Sequence, residues 1–243
     1  MTSLMWRRYA AEFLGTFAYV FFGCGARIVV ENGQNSVNNL LVYFTFGFTL
    51  FAMTFALSHI SAAPFNPALT LGLAVAKRFP WRYVVPYSVA QIAGALLASS
   101  MHFFLFPHRA ATARYGATVP SVSIVSALVI EAIMTFFLML VTMASATDNR
   151  VNRAAIGLAT GLTITFCGLF AAPLTGGSLN PARSLAPALF VGGNVLAIVW
   201  IYWVGPLSGA ILAALVYEAL RGGKEYGVET PKGIFDRIER KKG

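Results

Sequence analysis

Apolar residues run along this chain in blocks too long for strands and too uniform for the one-sided stripe of a soluble helix. Six such blocks cover roughly 6–30, 39–60, 84–106, 122–146, 154–172 and 196–220. Each approaches or exceeds the roughly 20 residues that a helix needs to cross a bilayer. The pieces between them are polar or short, so the pattern predicts six membrane-spanning helices.

The blocks fall into two similar sets of three. Glu12-x-x-x-Thr16-Phe17 recurs as Glu131-x-x-x-Thr135-Phe136, each near the start of a long apolar run. Gly47 lies 19 residues before Asn66 and Gly161 lies 19 before Asn180, while Gly94-Ala95 and Gly209-Ala210 follow those asparagines by 28 and 29. This is an internal repeat, about 6–106 and about 122–220, joined by a connector at about 107–120 without low complexity. Three spans per half turn the second copy upside down in the membrane, an inverted-topology arrangement. The glycines of the repeat, Gly15 among them, are expected to permit close helix crossing.

Between the second and third span of each half stands a polar interruption: Phe65-Asn66-Pro67-Ala68-Leu69-Thr70 and Leu179-Asn180-Pro181-Ala182-Arg183-Ser184. Asn is a favoured N-cap and Pro favours the first helical position, so a helix should start at Pro67 and another at Pro181. Eleven residues at 1.5 Å rise give roughly 16 Å, about half of the roughly 30 Å hydrocarbon thickness. Each helix can only enter halfway, and inverted symmetry brings the two N-termini together at the midplane. Each N-terminus carries roughly half a positive charge, so the facing pair repels cations and ignores neutral molecules. The stretches before the caps, Ala62-Ala63-Pro64-Phe65 and Gly176-Gly177-Ser178-Leu179, should expose backbone carbonyls. Lipid tolerates such backbone only where it lines a wet cavity. The expected feature is a file of acceptors leading to the amide donors of Asn66 and Asn180.

Composition agrees. Hydrophobic residues make up 57% of the 243 and charged ones 11%, with mean hydropathy +0.69, too little polar surface for a soluble globule. The net charge of +9 could point to nucleic acid, but the charges follow the positive-inside rule instead. Arg7, Arg8, Lys77, Arg78, Arg82, Arg150, Arg153 and most of the tail from Arg221 fall on one side of six threaded spans, which makes both termini cytoplasmic. Arg27, Arg109 and Arg114 fall on the other. The tail, 221–243, mixes both signs and is expected to be a solvated end attracted to anionic lipid. Cys24 and Cys167 lie inside apolar spans and behave as small hydrophobes. His59, His102 and His108 lack metal-ligand spacing, with His102 expected near a membrane face, and no serine or cysteine has a base beside it. No metal, no cofactor and no catalytic residue are expected, and the chain does not read as an enzyme.

The paired Asn-Pro-Ala motifs, with the repeat around them, resemble the aquaporin or major intrinsic protein family over roughly 6–220. The resemblance implies an all-α transmembrane fold, with six spanning helices and two re-entrant half-helices in an inverted repeat, forming one channel domain over 1–243. It also implies a right-handed bundle, a homotetramer and one pore per subunit in a cell membrane. Glu12 and Glu131 match positions that brace the re-entrant loops by accepting backbone N–H bonds. Phe46, Gly168, Gly177 and Arg183, placed by counting from the motifs, match the family's narrowest constriction. Water-selective relatives carry histidine at the Gly168 position and usually a side chain at the Gly177 position, so two glycines imply a wider mouth. A wider mouth suits water together with small polyols such as glycerol, or neutral metalloid hydroxides such as boric or arsenous acid.

Arg78-Phe79-Pro80-Trp81-Arg82 and Ala146-Thr147-Asp148-Asn149-Arg150 look like the plant nodulin-type branch and its microbial relatives. Ser184, Ala188, Tyr202 and Trp203 instead resemble water channels, which keeps a strictly water-selective channel as the alternative. Pro64 departs from the histidine common at that position. A coupled secondary transporter shares inverted repeats and broken helices but needs ion sites; beyond Glu12, Glu131 and Arg183 the spans offer almost no ionisable group.

Overall fold

The computed structural model describes residues 3–30, 36–147 and 153–220. The tail from Arg221 and the Asp148-Asn149-Arg150 stretch lie outside them. Ten α-helices are present among the described residues: α1 (Ser3–Val29), α2 (Ser36–Ser61), α3 (Pro67–Val75), α4 (Val84–Leu105), α5 (Pro107–Thr112), α6 (Ile124–Thr147), α7 (Arg153–Thr175), α8 (Pro181–Val191), α9 (Gly193–Ala197) and α10 (Ile201–Leu220). Six segments are long and apolar enough to cross a membrane: Met5–Val29, Val37–Ser61, Trp81–Leu105, Ile124–Ala144, Ala155–Thr175 and Gly193–Leu220. The last begins earlier than the hydropathy pattern predicts, because α9 is separated from α10 by a turn at 198–200 that contains Trp200. The connector contains α5 and a 3-10 turn at Arg114–Gly116.

The bundle turns large apolar side chains outward. Phe48, Phe55, Val85, Val89, Phe104, Val125 and Phe166 are among the exposed ones, a belt that only lipid or another protein surface can cover. Inside, the two halves repeat their packing: α1 lies on α2 and α4, α6 on α7 and α10, and α2 meets α7 across the junction. A Cβ on Gly94 would strike the carbonyl of Phe13, the residue after Glu12, and a Cβ on Gly209 that of Ala132, the residue after Glu131. Gly47 and Gly161 face one another's carbonyls in the same way. Gly15 differs from the expectation: the space above it is filled by the Phe65 ring, so it seats a loop residue and not a crossing helix.

The short helices α3 and α8 interlock the halves, because α3 packs on α10 of the second half and α8 on α4 of the first. Helix α8 has the expected 11 residues, whereas α3 has 9. Its early end has a local cause. Lys77 adopts φ +58°, and the N–H groups of Lys77 and Arg78 donate back to Ala74 O (3.0 Å) and Leu73 O (2.8 Å). That is a Schellman stop with lysine where glycine is usual. Arg78, carried out by this turn, then clasps Glu218 of α10 through Nε and Nη2 at 2.8–3.0 Å.

Candidate pore and constriction

Asn66 and Asn180 cap α3 and α8 from extended backbone, and their side-chain oxygens accept from the next turn: Ala68 N at 2.9 Å, and Ala182 N at 3.0 Å with Arg183 N at 3.3 Å. Capping fixes which way each amide nitrogen points. Asn66 Nδ2 donates to Leu179 O (2.7 Å) and Asn180 Nδ2 to Phe65 O (2.9 Å), so each half-helix start is bonded to the loop before the other. A carboxamide has two N–H donors. One on each asparagine holds the junction, which leaves the second for a passing solute.

The loops before the caps share one backbone path. Positions four, three and one before each asparagine have positive φ: Ala62 (76°), Ala63 (54°) and Phe65 (47°), matched by Gly176 (80°), Gly177 (55°) and Leu179 (56°). Glycine adopts this region freely, whereas each alanine costs about 1–2 kcal/mol there. The buried carboxylates hold the path in place. Glu131 Oε1 accepts from Ser178 N (2.9 Å) and Thr175 Oγ1 (2.7 Å), and Oε2 from Leu179 N (2.8 Å). Glu12 Oε1 accepts from Ser61 Oγ (2.6 Å), and Oε2 from Phe65 N (3.0 Å). The one donor missing from the second set is the amide of residue 64, which proline lacks. Gln91 Nε2 of α4 takes its place, at 2.7 Å from Glu12 Oε2.

Carbonyls of these loops divide into used and unused acceptors. Phe65 O and Leu179 O bond the asparagines, and Gly176 O and Gly177 O both accept from Tyr43 OH, the latter at 3.1 Å. Among the described residues, the carbonyls of Ala62, Ala63, Pro64 and Ser178 accept no protein hydrogen bond. The expected acceptor file is therefore partly occupied at the Arg183 end.

At that end Arg183 lies 5.1 Å, from guanidinium carbon to ring centroid, over Phe46, with both side chains 1% exposed. Its Nη1 donates to Gly116 O (3.0 Å), while Nε has no hydrogen-bond partner. Phe46 leans on Tyr19 and Gly23 of α1. The room beside Gly168 and Gly177 is not open: a Cβ on either would overlap Tyr43. A cavity of about 470 Å³ is lined by Arg27, Arg109, Arg114, Arg183, Asn38 and Gly176, among others. His102, expected near a membrane face, is fully buried, with Nε2 2.9 Å from Phe21 O. Cys24 and Cys167 are buried free thiols, and no group of three metal-ligating side chains occurs among the described residues.

Several contributors have no motif of their own, yet some were within reach of the repeat. Ser61 and Thr175 both stand five before the asparagines, and both relay the glutamate to a loop amide, Ala63 N or Gly177 N, at 3.1 Å. Tyr87 and Tyr202 follow at 21 and 22 residues, each donating to the carbonyl of that relay residue. Gln91 is signalled only by Pro64. Tyr43 has no counterpart, since the matching place in the second half is Gly157.

Six spans with two inward half-helices joined at their capped N-termini define a multi-pass membrane channel. The chain belongs to the major intrinsic protein family, whose model matches residues 1–217. It is 42% identical over 211 residues to Aquaporin NIP1-1 of Oryza sativa subsp. japonica, covering 87% of this chain and 73% of that protein. It is 36% identical over 223 residues to Aquaporin Z of Rhodopseudomonas palustris, covering 88% and 92%. Its fold matches the aquaglyceroporin from Plasmodium falciparum with a TM-score of 0.80 at 24% identity, over 90% of this chain and 97% of that one.

Proposed function

We propose that each subunit passively conducts water and small uncharged solutes, of the size of glycerol or of neutral metalloid hydroxides such as boric or arsenous acid. The observation that carries this reading is the junction of Asn66 and Asn180. Two helix N-termini face one another, each with an amide donor beyond the one that holds the junction, while the Glu12 and Glu131 carboxylates are taken up by the loop donors before the caps. A neutral molecule with hydroxyl oxygens accepts from these donors and donates to the free carbonyls of Ala62, Ala63, Pro64 and Ser178. A cation meets the half-helix ends and then Arg183. Phe46, Gly168, Gly177 and Arg183 form the constriction, and Glu12 and Glu131 hold the loops. The reading places both termini in the cytoplasm, the arginine-lined cavity outside, and four copies in a cell membrane with their apolar belts against one another and lipid.

One observation favours the strictly water-selective alternative: the Tyr43 side chain fills the space beside the two glycines. Purified protein in vesicles, followed by light scattering after a sucrose jump and then a glycerol jump, decides between them. Both relaxations should outpace empty vesicles. Fast water without fast glycerol selects the alternative, and neither would overturn the channel reading.

Asn66→Asp tests the junction. A carboxylate oxygen would face Leu179 O, 2.7 Å from the present nitrogen, and would cancel positive charge at the two helix starts. Water flux should fall roughly tenfold, the equivalent of about 1.4 kcal/mol on the barrier. Normal water flux in a folded variant would place Asn66 off the conduction path.

A further inference from the structure

The mouth contains two glycines that imply width and a packed side chain that removes it. Tyr43 lies on α2 one turn before Phe46, the two ring centroids 5.7 Å apart with planes tilted by 32°. Its ring runs along α7 and the loop that precedes Asn180. A Cβ at Gly168 would land within the ring, and one at Gly177 would overlap the hydroxyl. That hydroxyl donates to Gly176 O and Gly177 O, two carbonyls of the loop that precedes Asn180. The residue is 2% exposed. Its side chain is therefore defined by packing on Gly168 and by the hydrogen bonds of its hydroxyl. The cavity at the mouth is lined by Val42, the residue before Tyr43, and by Gly176, whose carbonyl Tyr43 engages, and Arg183.

Resting on the channel reading above, we propose that Tyr43 sets the solute size limit of this channel, by filling from helix α2 the volume that side chains at 168 and 177 would otherwise fill. Three consequences follow from the geometry. The ring, with Phe46 and Arg183, bounds the passage on the side where both glycines stand, so cross-section depends on position 43 and not on the glycines. The hydroxyl withdraws two acceptors, so a polyol finds fewer partners at the mouth than the backbone could supply. A solute wider than water passes only as the ring yields, and its hydrogen bonds to the loop resist that movement. Water, which needs less width, is affected far less than glycerol.

The test compares glycerol with water permeability in vesicles for wild type, Tyr43→Ala, Tyr43→Phe and the double variant Tyr43→Ala with Gly168→His. Tyr43→Ala should raise the glycerol-to-water ratio roughly tenfold, the scale on which pocket size discriminates between solutes. Tyr43→Phe keeps the ring but releases the two carbonyls and the tether, so it should raise the ratio by less than alanine does, roughly twofold to threefold. The double variant puts a ring back into the same space from helix α7, and its ratio should return toward the wild-type value, a coupling expected only of residues that share one volume. The proposal is overturned if folded Tyr43→Ala leaves the ratio unchanged, if Tyr43→Phe raises it as much as alanine does, or if Gly168→His fails to reverse the alanine effect. Should Tyr43→Ala not yield folded protein, Tyr43→Leu carries the same comparison with a smaller void. Wild-type vesicles no faster than empty ones would sink the channel reading itself, whereas fast wild-type water with an unmoved ratio sinks only the assignment of Tyr43.

Discussion

Arg183→Ala is expected to let cations through and to widen the mouth for neutral solutes. The guanidinium is buried 5.1 Å from the Phe46 ring and tied to Gly116 O, so it cannot swing into solvent, and in the proposed function it stands across the passage. A monovalent cation passing about 5 Å away meets a repulsion of about 3 kcal/mol at an effective dielectric constant of about 20. Removing it should raise cation leak roughly a hundredfold, while the opposed half-helix ends preserve part of the barrier. Glycerol should also pass faster, because alanine leaves open the volume between Phe46 and Gly116. Vesicles loaded with a cation-sensitive dye, measured beside osmotic light scattering, read both effects. Unchanged leak and unchanged glycerol flux in a folded variant would remove Arg183 from the constriction. Arg183→Lys separates the two contributions, since an ammonium keeps the charge but lacks the planar fork.

The frame of the molecule was readable because lipid imposes few solutions. A block of about 20 apolar residues must become a helix, since its backbone has no other partner in hydrocarbon. Polar interruptions with Asn-Pro at matching places then had to be helix starts. Counting from the motifs names candidate constriction positions, but it does not show what stands against them. Tyr43 occupies the space of Gly168 and Gly177 through a side-chain direction on α2 that no spacing rule encodes. The short α3 hid for a related reason: Lys77 in the left-handed region ends it two residues early, at a position where a glycine would have announced the stop. A glycine in an apolar span, such as Gly15, suggests helix crossing, but the sequence cannot tell a neighbouring helix from a loop side chain such as Phe65. The supporting hydroxyls were legible in principle. Ser61 with Thr175, and Tyr87 with Tyr202, follow the repeat and bond the same way in both halves. Repeat symmetry reveals the supporting polar residues that occur twice and misses those, such as Gln91, that occur once.

The second large effect comes from the place where that symmetry breaks: Glu131→Gln should abolish the folded channel while Glu12→Gln should be tolerated. Each Glu131 oxygen accepts from a fixed backbone N–H, Oε1 from Ser178 and Oε2 from Leu179. A glutamine there must aim its NH2 at one of these donors whichever way the amide is turned. A buried backbone donor left without an acceptor costs about 1–3 kcal/mol, and the facing donors add repulsion to that. Leu179 then loses support for its positive φ, and Leu179 O is the acceptor that holds Asn66. Glu12 is different because Pro64 has no N–H. Only Oε2 faces a backbone donor, Phe65 N, while Oε1 meets the Ser61 hydroxyl, which can rotate to accept. Glutamine at 12 can keep its oxygen toward Phe65 and Gln91 and give its NH2 to Ser61 Oγ. Thermal unfolding in detergent should therefore show Glu131→Gln strongly destabilised or unrecoverable, and Glu12→Gln within about 1 kcal/mol of wild type with near-normal water flux. Equal losses from the two substitutions would mean that buried charge, and not the directions of the donors, secures the loops.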